Sequence, residues 1–261
     1  MASFLSDHAF RKVLLSAVAT LGLSAPAHAD DAKALLKAMS DYMAAQKSIS
    51  FDYQSTVETV TPDFEKIQFV SSGTTTIERP DKARVTRRGG IADLDMSFDG
   101  KVLTIHGKNL DAYAKIDAKG TLDDLFDKLT EADVGAPGSD LFSADAYGIL
   151  TQEVTEAKHI SSAVVDGVDC EYLTFRTPEV DWQVWVQSGS KPIPCRYVVT
   201  MKHVAQAPQY TLQITNFKEG AEAAKASFNI EIPKDAKEVE LNQIENFNEL
   251  PGPAKDGANP Q

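Results

Sequence analysis

The stretch Asp169-Cys170-Glu171-Tyr172-Leu173-Thr174-Phe175-Arg176-Thr177-Pro178-Glu179-Val180-Asp181-Trp182-Gln183-Val184-Trp185-Val186-Gln187 decides the fold. Its alternation of apolar and polar side chains has the period of a strand, broken once at Thr177-Pro178-Glu179-Val180, where a turn is signalled. A turn there sets Arg176 opposite Asp181 as a cross-strand ion pair. Successive side chains of a strand point to opposite faces. Leu173, Phe175, Trp182 and Val184 therefore share one face, and Tyr172, Thr174, Gln183, Trp185 and Gln187 the other. The first face is the more apolar and is expected to look inward.

The same two-residue period recurs on both sides of this hairpin. Strands are expected at 51–58, 66–79, 83–87, 93–98, 101–106 and 113–117, then at 157–165, 196–202 and 209–217, with a last one at 228–233. Asp99-Gly100 matches a tight hairpin turn with both central residues at positive φ. Three stretches have helical spacing instead: 30–46, with Leu35, Leu36, Met39, Tyr42 and Met43; 121–131, with Leu122, Leu125, Phe126 and Leu129 behind a Thr121 cap; and 140–150. The fold class is mainly β with a few helices (α+β). About eleven hairpin-connected strands form a curled antiparallel sheet, an incomplete barrel whose concave face the helices lid. No linker interrupts residues 30–240, so they are read as one domain, and 241–261, rich in Asn and Pro, as a flexible tail.

Arg11 and Lys12, an apolar run from Val13 to Leu23, and Ala27-His28-Ala29 make residues 1–29 a secretory signal peptide, with Asp30 as the mature start. The apolar run is too short to cross a bilayer core of about 30 Å as a helix. The protein is expected to be exported, with the periplasm as its compartment, and not to be an integral membrane protein. The whole chain carries a formal charge of −12. Such acidity repels phosphate backbones, so nucleic acid is not an expected partner.

Export allows a disulfide between Cys170 and Cys195. In a plain meander, however, their strands lie two apart, about 9.6 Å, whereas a disulfide needs Cα atoms within about 7 Å. The geometry disfavours the bond.

Catalytic motifs are missing. His106, His159 and His203 lack metal-ligand spacing, and there is no Cys-x-x-Cys, nucleophile elbow or phosphate-cradling glycine loop. No cofactor, metal or catalytic residue is assigned, and no enzymatic activity is expected. Asp123-Asp124-Asp127 reads as a solvated helix face. Arg84, Arg87 and Arg88 form a basic cluster that suits either an anionic group or protection of a strand edge. Small polar residues on inward rows, Ser55 and Ser71, hint at a cavity. The candidates to line it are Leu173, Phe175, Trp182, Val184, Tyr210 and Leu212 from the sheet and Phe126 from the helix.

Three blocks carry a family resemblance: Ser97-Phe98-Asp99-Gly100-Lys101-Val102-Leu103-Thr104 with Tyr113 and the Leu122-Leu125-Phe126 helix, Val180-Asp181-Trp182-Gln183-Val184-Trp185, and Phe228-Asn229-Ile230-Glu231-Ile232-Pro233-Lys234-Asp235-Ala236-Lys237. Over roughly residues 32–241 the chain resembles a family of exported bacterial proteins of unknown function, a branch of the lipoprotein-carrier superfamily of the LolA and LolB type. The resemblance implies a half-barrel with an apolar concave side, which the carriers use for acyl chains. It brings no catalytic residues, and the carriers' lid arginine is not transferred to a residue here. The function it implies is non-enzymatic binding or carriage of a lipid, a lipoprotein acyl chain or another lipophilic ligand; the sequence leaves the oligomeric state open, with a monomer as the default. A cell-envelope sensor or protein-interaction module on the same fold is the alternative. A histidine–carboxylate hydrolase would need one of the three histidines beside an acid in a cleft.

Overall fold

A computed structural model describes residues 29–131, 137–225 and 227–244. The expected signal segment therefore lies outside the described residues, except for Ala29, as does the expected tail beyond 244.

Eleven antiparallel strands form two meanders. The first contains β1 (Ser48–Val60), β2 (Lys66–Glu78), β3 (Lys82–Gly89), β4 (Asp93–Phe98), β5 (Val102–Gly107) and β6 (Ala112–Asp117). The second contains β7 (Glu156–Val165), β8 (Val168–Arg176), β9 (Val180–Gln187), β10 (Pro194–Met201) and β11 (Gln209–Glu219). They fuse where β1 pairs with β11, and a two-residue β12 (Lys237–Glu238) adds to β6 in parallel. The order across the sheet is β12-β6-β5-β4-β3-β2-β1-β11-β10-β9-β8-β7, and the sheet does not close into a barrel. Helices α1 (Ala29–Ala45), α2 (Leu122–Glu131) and α3 (Ala146–Thr151) complete the fold.

The decisive hairpin has the expected register. Arg176 opposes Asp181, donating two hydrogen bonds of 2.9 Å to its carboxylate, and Leu173, Phe175, Trp182 and Val184 are all buried. On the other face Tyr172 and Trp185 stack with centroids 4.5 Å apart, and Arg196 lies over the Trp185 ring.

Four details depart from the sequence reading. Residues 228–233 do not form a strand; the Ser227 and Phe228 carbonyls accept hydrogen bonds from Arg84 and Ser97, so the segment crosses the convex face of β3 and β4 before β12. The Asp99-Gly100 turn extends over three residues, because the Asp99 carboxylate accepts the Lys101 and Val102 N–H groups and Gly100 alone takes positive φ (87°). The helix expected at 140–150 splits into a 3-10 turn, Ser139–Phe142, and α3, which Asp145 caps through the Gly148 N–H. Packing also continues past 240, with Ile244 buried against Gly107.

Cys170 and Cys195 are free, buried thiols. They neighbour each other at the end of β9, where β10 bulges beside Cys195 and leaves the flat ladder assumed from sequence. Burial pushes both thiols up, which keeps them poorly nucleophilic.

Candidate functional site: an apolar cleft under α2

The two meanders fill their concave sides differently. Under the second lies α1, whose Leu36, Met39 and Met43 are fully buried; its i, i+3, i+7 spacing aims all three at the sheet. Trp182 stacks on Phe175 at 4.0 Å and meets Tyr197 edge-on at 6.0 Å, so rings and α1 pack closely in this half. The first meander is roofed by the shorter α2. There a half-open cleft of about 180 Å³ remains between Leu125, Phe126 and Leu129 of α2 and the sheet.

Strand alternation builds its floor. Phe51, Ile77, Val85, Met96, Phe98 and Leu103 come from five successive strands, with Tyr53, Thr75, Ala83 and Arg87 among them and Leu212 from β11. Tyr53 lies over Gly73 and donates to the Thr86 carbonyl at 3.0 Å; a Cβ at Gly73 would stand 1.8 Å from that oxygen. The lining is almost wholly apolar. Among its described residues Arg87 carries the charge, and it is buried. Alternation thus breaks up the basic cluster read from sequence: Arg87 turns into the cleft, while Arg84 turns to the convex face and pairs with Asp95 at 2.8 Å.

A strap of residues 137–145 walls the cleft towards the second meander. The Pro137 carbonyl accepts from Tyr210 at 3.2 Å, the Asp140 carboxyl from Tyr197 at 3.1 Å, and the Phe142 carbonyl from Arg79 at 2.7 Å. Ser143 donates to Asp123 of α2 at 2.6 Å, and Phe142 stacks on Phe51 with centroids 4.9 Å apart. Burial pushes the Asp140 carboxyl up despite the hydrogen bonds it accepts, and burial beside Asp140 holds the Tyr197 hydroxyl well above the usual range. Burial lowers Arg79, which Asp123 partly offsets.

Of the seven cavity candidates, Phe126 and Leu212 lie on the cleft. Tyr210 holds the strap beside it, while Leu173, Phe175, Trp182 and Val184 pack in the α1-filled half. Ser55 and Ser71 face each other across β1 and β2, buried but outside the lining. Sequence reading passed over Phe51, Val85, Met96, Phe98 and Arg87, although the alternation of Ala83, Val85 and Arg87 already put them on one face. Phe142 had no such signal.

The three histidines among the described residues stay away from the cleft. His159 shares 2.8 Å with Glu171 between β7 and β8, His203 is exposed, and His106 is buried on the convex side of β5. A second, polar depression of about 210 Å³ lies over Thr174 and Gln183, bordered by Phe175 and Trp182; its charges are spent on one another, as in Lys158–Glu156 (2.6 Å) and Arg176–Asp181 (2.9 Å). Among the described residues no three metal-ligating side chains gather, and no helix is long and apolar enough to cross a membrane.

Solved structures similar to this chain include the Mycobacterium tuberculosis lipoprotein LppX, with 13% identity and a TM-score of 0.44, over 74% of this chain and 97% of that one. LprF from Mycobacterium bovis gives 12% and 0.43, over 80% and 99%. A LolA superfamily protein from Nitrosomonas europaea gives 11% and 0.33, over 72% and 92%. No curated protein matches by sequence. A family profile described as "Predicted periplasmic protein (DUF2092)" matches residues 32–242, and the chain belongs to that family.

Proposed function

We propose that this protein is a non-enzymatic periplasmic binding or carrier protein, and that the cleft under α2 takes an acyl chain or another lipophilic group. The observation that carries the reading is the cleft itself: an apolar, half-open space on the concave side of a sheet whose other half is covered by α1. Burying a methylene there contributes about 0.8 kcal/mol, less the costs of association. Arg87 puts one positive charge on an otherwise largely apolar lining. The export signal at residues 1–29 belongs to the same reading, and N-terminal sequencing of protein from the envelope should start at Asp30.

Native mass spectrometry of protein purified from its own envelope tests the function. A bound mass that organic extraction releases as a lipid is expected. An apo mass, together with no displacement of a fluorescent fatty acid, counts against it. In that event the interaction-module reading gains, because among the described residues β7 ends the sheet unpaired and presents Ile160 and Val164, 47% and 68% exposed.

A further inference from the structure

The cleft is short, and its closed end is built. Phe142 of the strap stacks on Phe51 at 4.9 Å, and Phe51 stacks in turn on Phe217 at 6.3 Å, so three rings stand in line across β1. Leu141, fully buried, anchors the strap next to Phe142. The 139–142 turn that carries Phe142 packs on α1, whose Leu36, Met39 and Met43 are each at 0% exposure. An apolar cavity of about 150 Å³ takes up a six-carbon ring such as benzene. By that measure the 180 Å³ cleft holds between seven and eight carbons.

We infer that the site selects by chain length, burying roughly seven to eight carbons of an acyl group and stopping at the Phe142–Phe51 pair. The inference rests on the acyl-binding reading above and names its substrate class: a medium-chain acyl group, or the terminal part of a longer one whose remainder stays outside. Each methylene that enters the cleft strengthens binding about fourfold. Carbons beyond the eighth meet the ring pair or water and add little.

Calorimetric titration of the full mature chain with sodium salts of straight fatty acids, hexanoate to hexadecanoate, each below its aggregation concentration, provides the test. Affinity should rise about fourfold per carbon up to octanoate and by less than about 1.5-fold per carbon afterwards. In Phe142→Ala the steep rise should extend by roughly two carbons, since the ring no longer closes the end. Ala83→Leu, which adds volume from β3 into existing space and leaves the strap alone, should end the rise near hexanoate and decides the matter if the Phe142 variant fails to fold. A rise continuing unbroken to hexadecanoate, or a break at the same carbon in wild type and variants, overturns the inference and leaves acyl binding standing. Folded wild type that binds none of the acids overturns the acyl reading and this inference with it.

Discussion

The two meanders are built from similar strands, yet one packs closely against α1 and the other borders a cleft. The difference is in what lies on them. Helix α1 has 17 residues and sinks the fully buried Leu36, Met39 and Met43 into the second meander; α2 has 10 and leaves space above the first. A sheet curled enough to need a second layer gets a complete one over half its width. The strap of residues 137–145, ahead of α3, is the partition, with Phe142 facing the cleft and Leu141 buried beside it.

The sharpest way to break this comparison is to truncate one aromatic ring in each half. Trp182→Ala deletes a ring packed between Phe175 and Tyr197 and should cost about 3–5 kcal/mol in denaturant unfolding. Phe126→Ala removes a ring that already borders empty space and is only partly buried, and should cost roughly 1 kcal/mol. Equal costs would mean that the first meander is packed as tightly as the second.

The cleft side is loose above the sheet, not within it. At Gly73 the missing side chain lets Tyr53 cross β2 to reach the Thr86 carbonyl, and an added Cβ would sit 1.8 Å from that oxygen. Gly73→Ala should therefore destabilise by about 1–3 kcal/mol through backbone displacement. Should it be neutral, the β2–β3 contact is softer than drawn.

How much of this contrast was readable beforehand follows from separation along the chain. The hairpin around Trp182 was legible down to its register, because its alternation, its turn and its ion pair lie within nineteen consecutive residues, 169–187. The Arg84 and Arg87 split was legible by the same alternation. Pairing of β1 with β11 was not, since Tyr53 and Ile214 carry no local mark of each other. That join decides which strands share a concave side with α1, and so where the empty half falls. Residues 228–233 alternate like a strand, but the Ser227 and Phe228 carbonyls at their start accept from Arg84 and Ser97 on the convex face, and the edge of β6 goes to Lys237–Glu238.

The partition has a pH dependence of its own. Asp140 is raised by burial, so its folded pKa lies above its unfolded one. A group of this kind contributes stability that is complete below the unfolded pKa and is lost as pH rises through the folded pKa. Asp140→Asn keeps an oxygen for Tyr197 and removes the titration. Wild-type stability should fall more steeply than that of the variant as pH rises above the ordinary carboxylate range, as measured by thermal unfolding across pH. Parallel curves would show that Asp140 is solvated and that the strap is not held over a dry interior.

The smallest effect belongs to the pair that first gave the register. Arg176 and Asp181 join in a bidentate contact at 2.9 Å, but Arg176 is 56% exposed and also lies 3.8 Å from Glu156. Water and salt screen such a pair, and two side chains lose freedom to make it. A double-mutant cycle of Arg176→Ala and Asp181→Ala should give a coupling near the limit of detection that vanishes in high salt. The register should survive in the double variant, because Leu173, Phe175, Trp182 and Val184 would all turn outward on a one-residue slip. Loss of the Tyr172–Trp185 exciton signal in near-ultraviolet circular dichroism would contradict that and give the ion pair the larger part in setting the strands. The ion pair reports the register; burial of the apolar face enforces it.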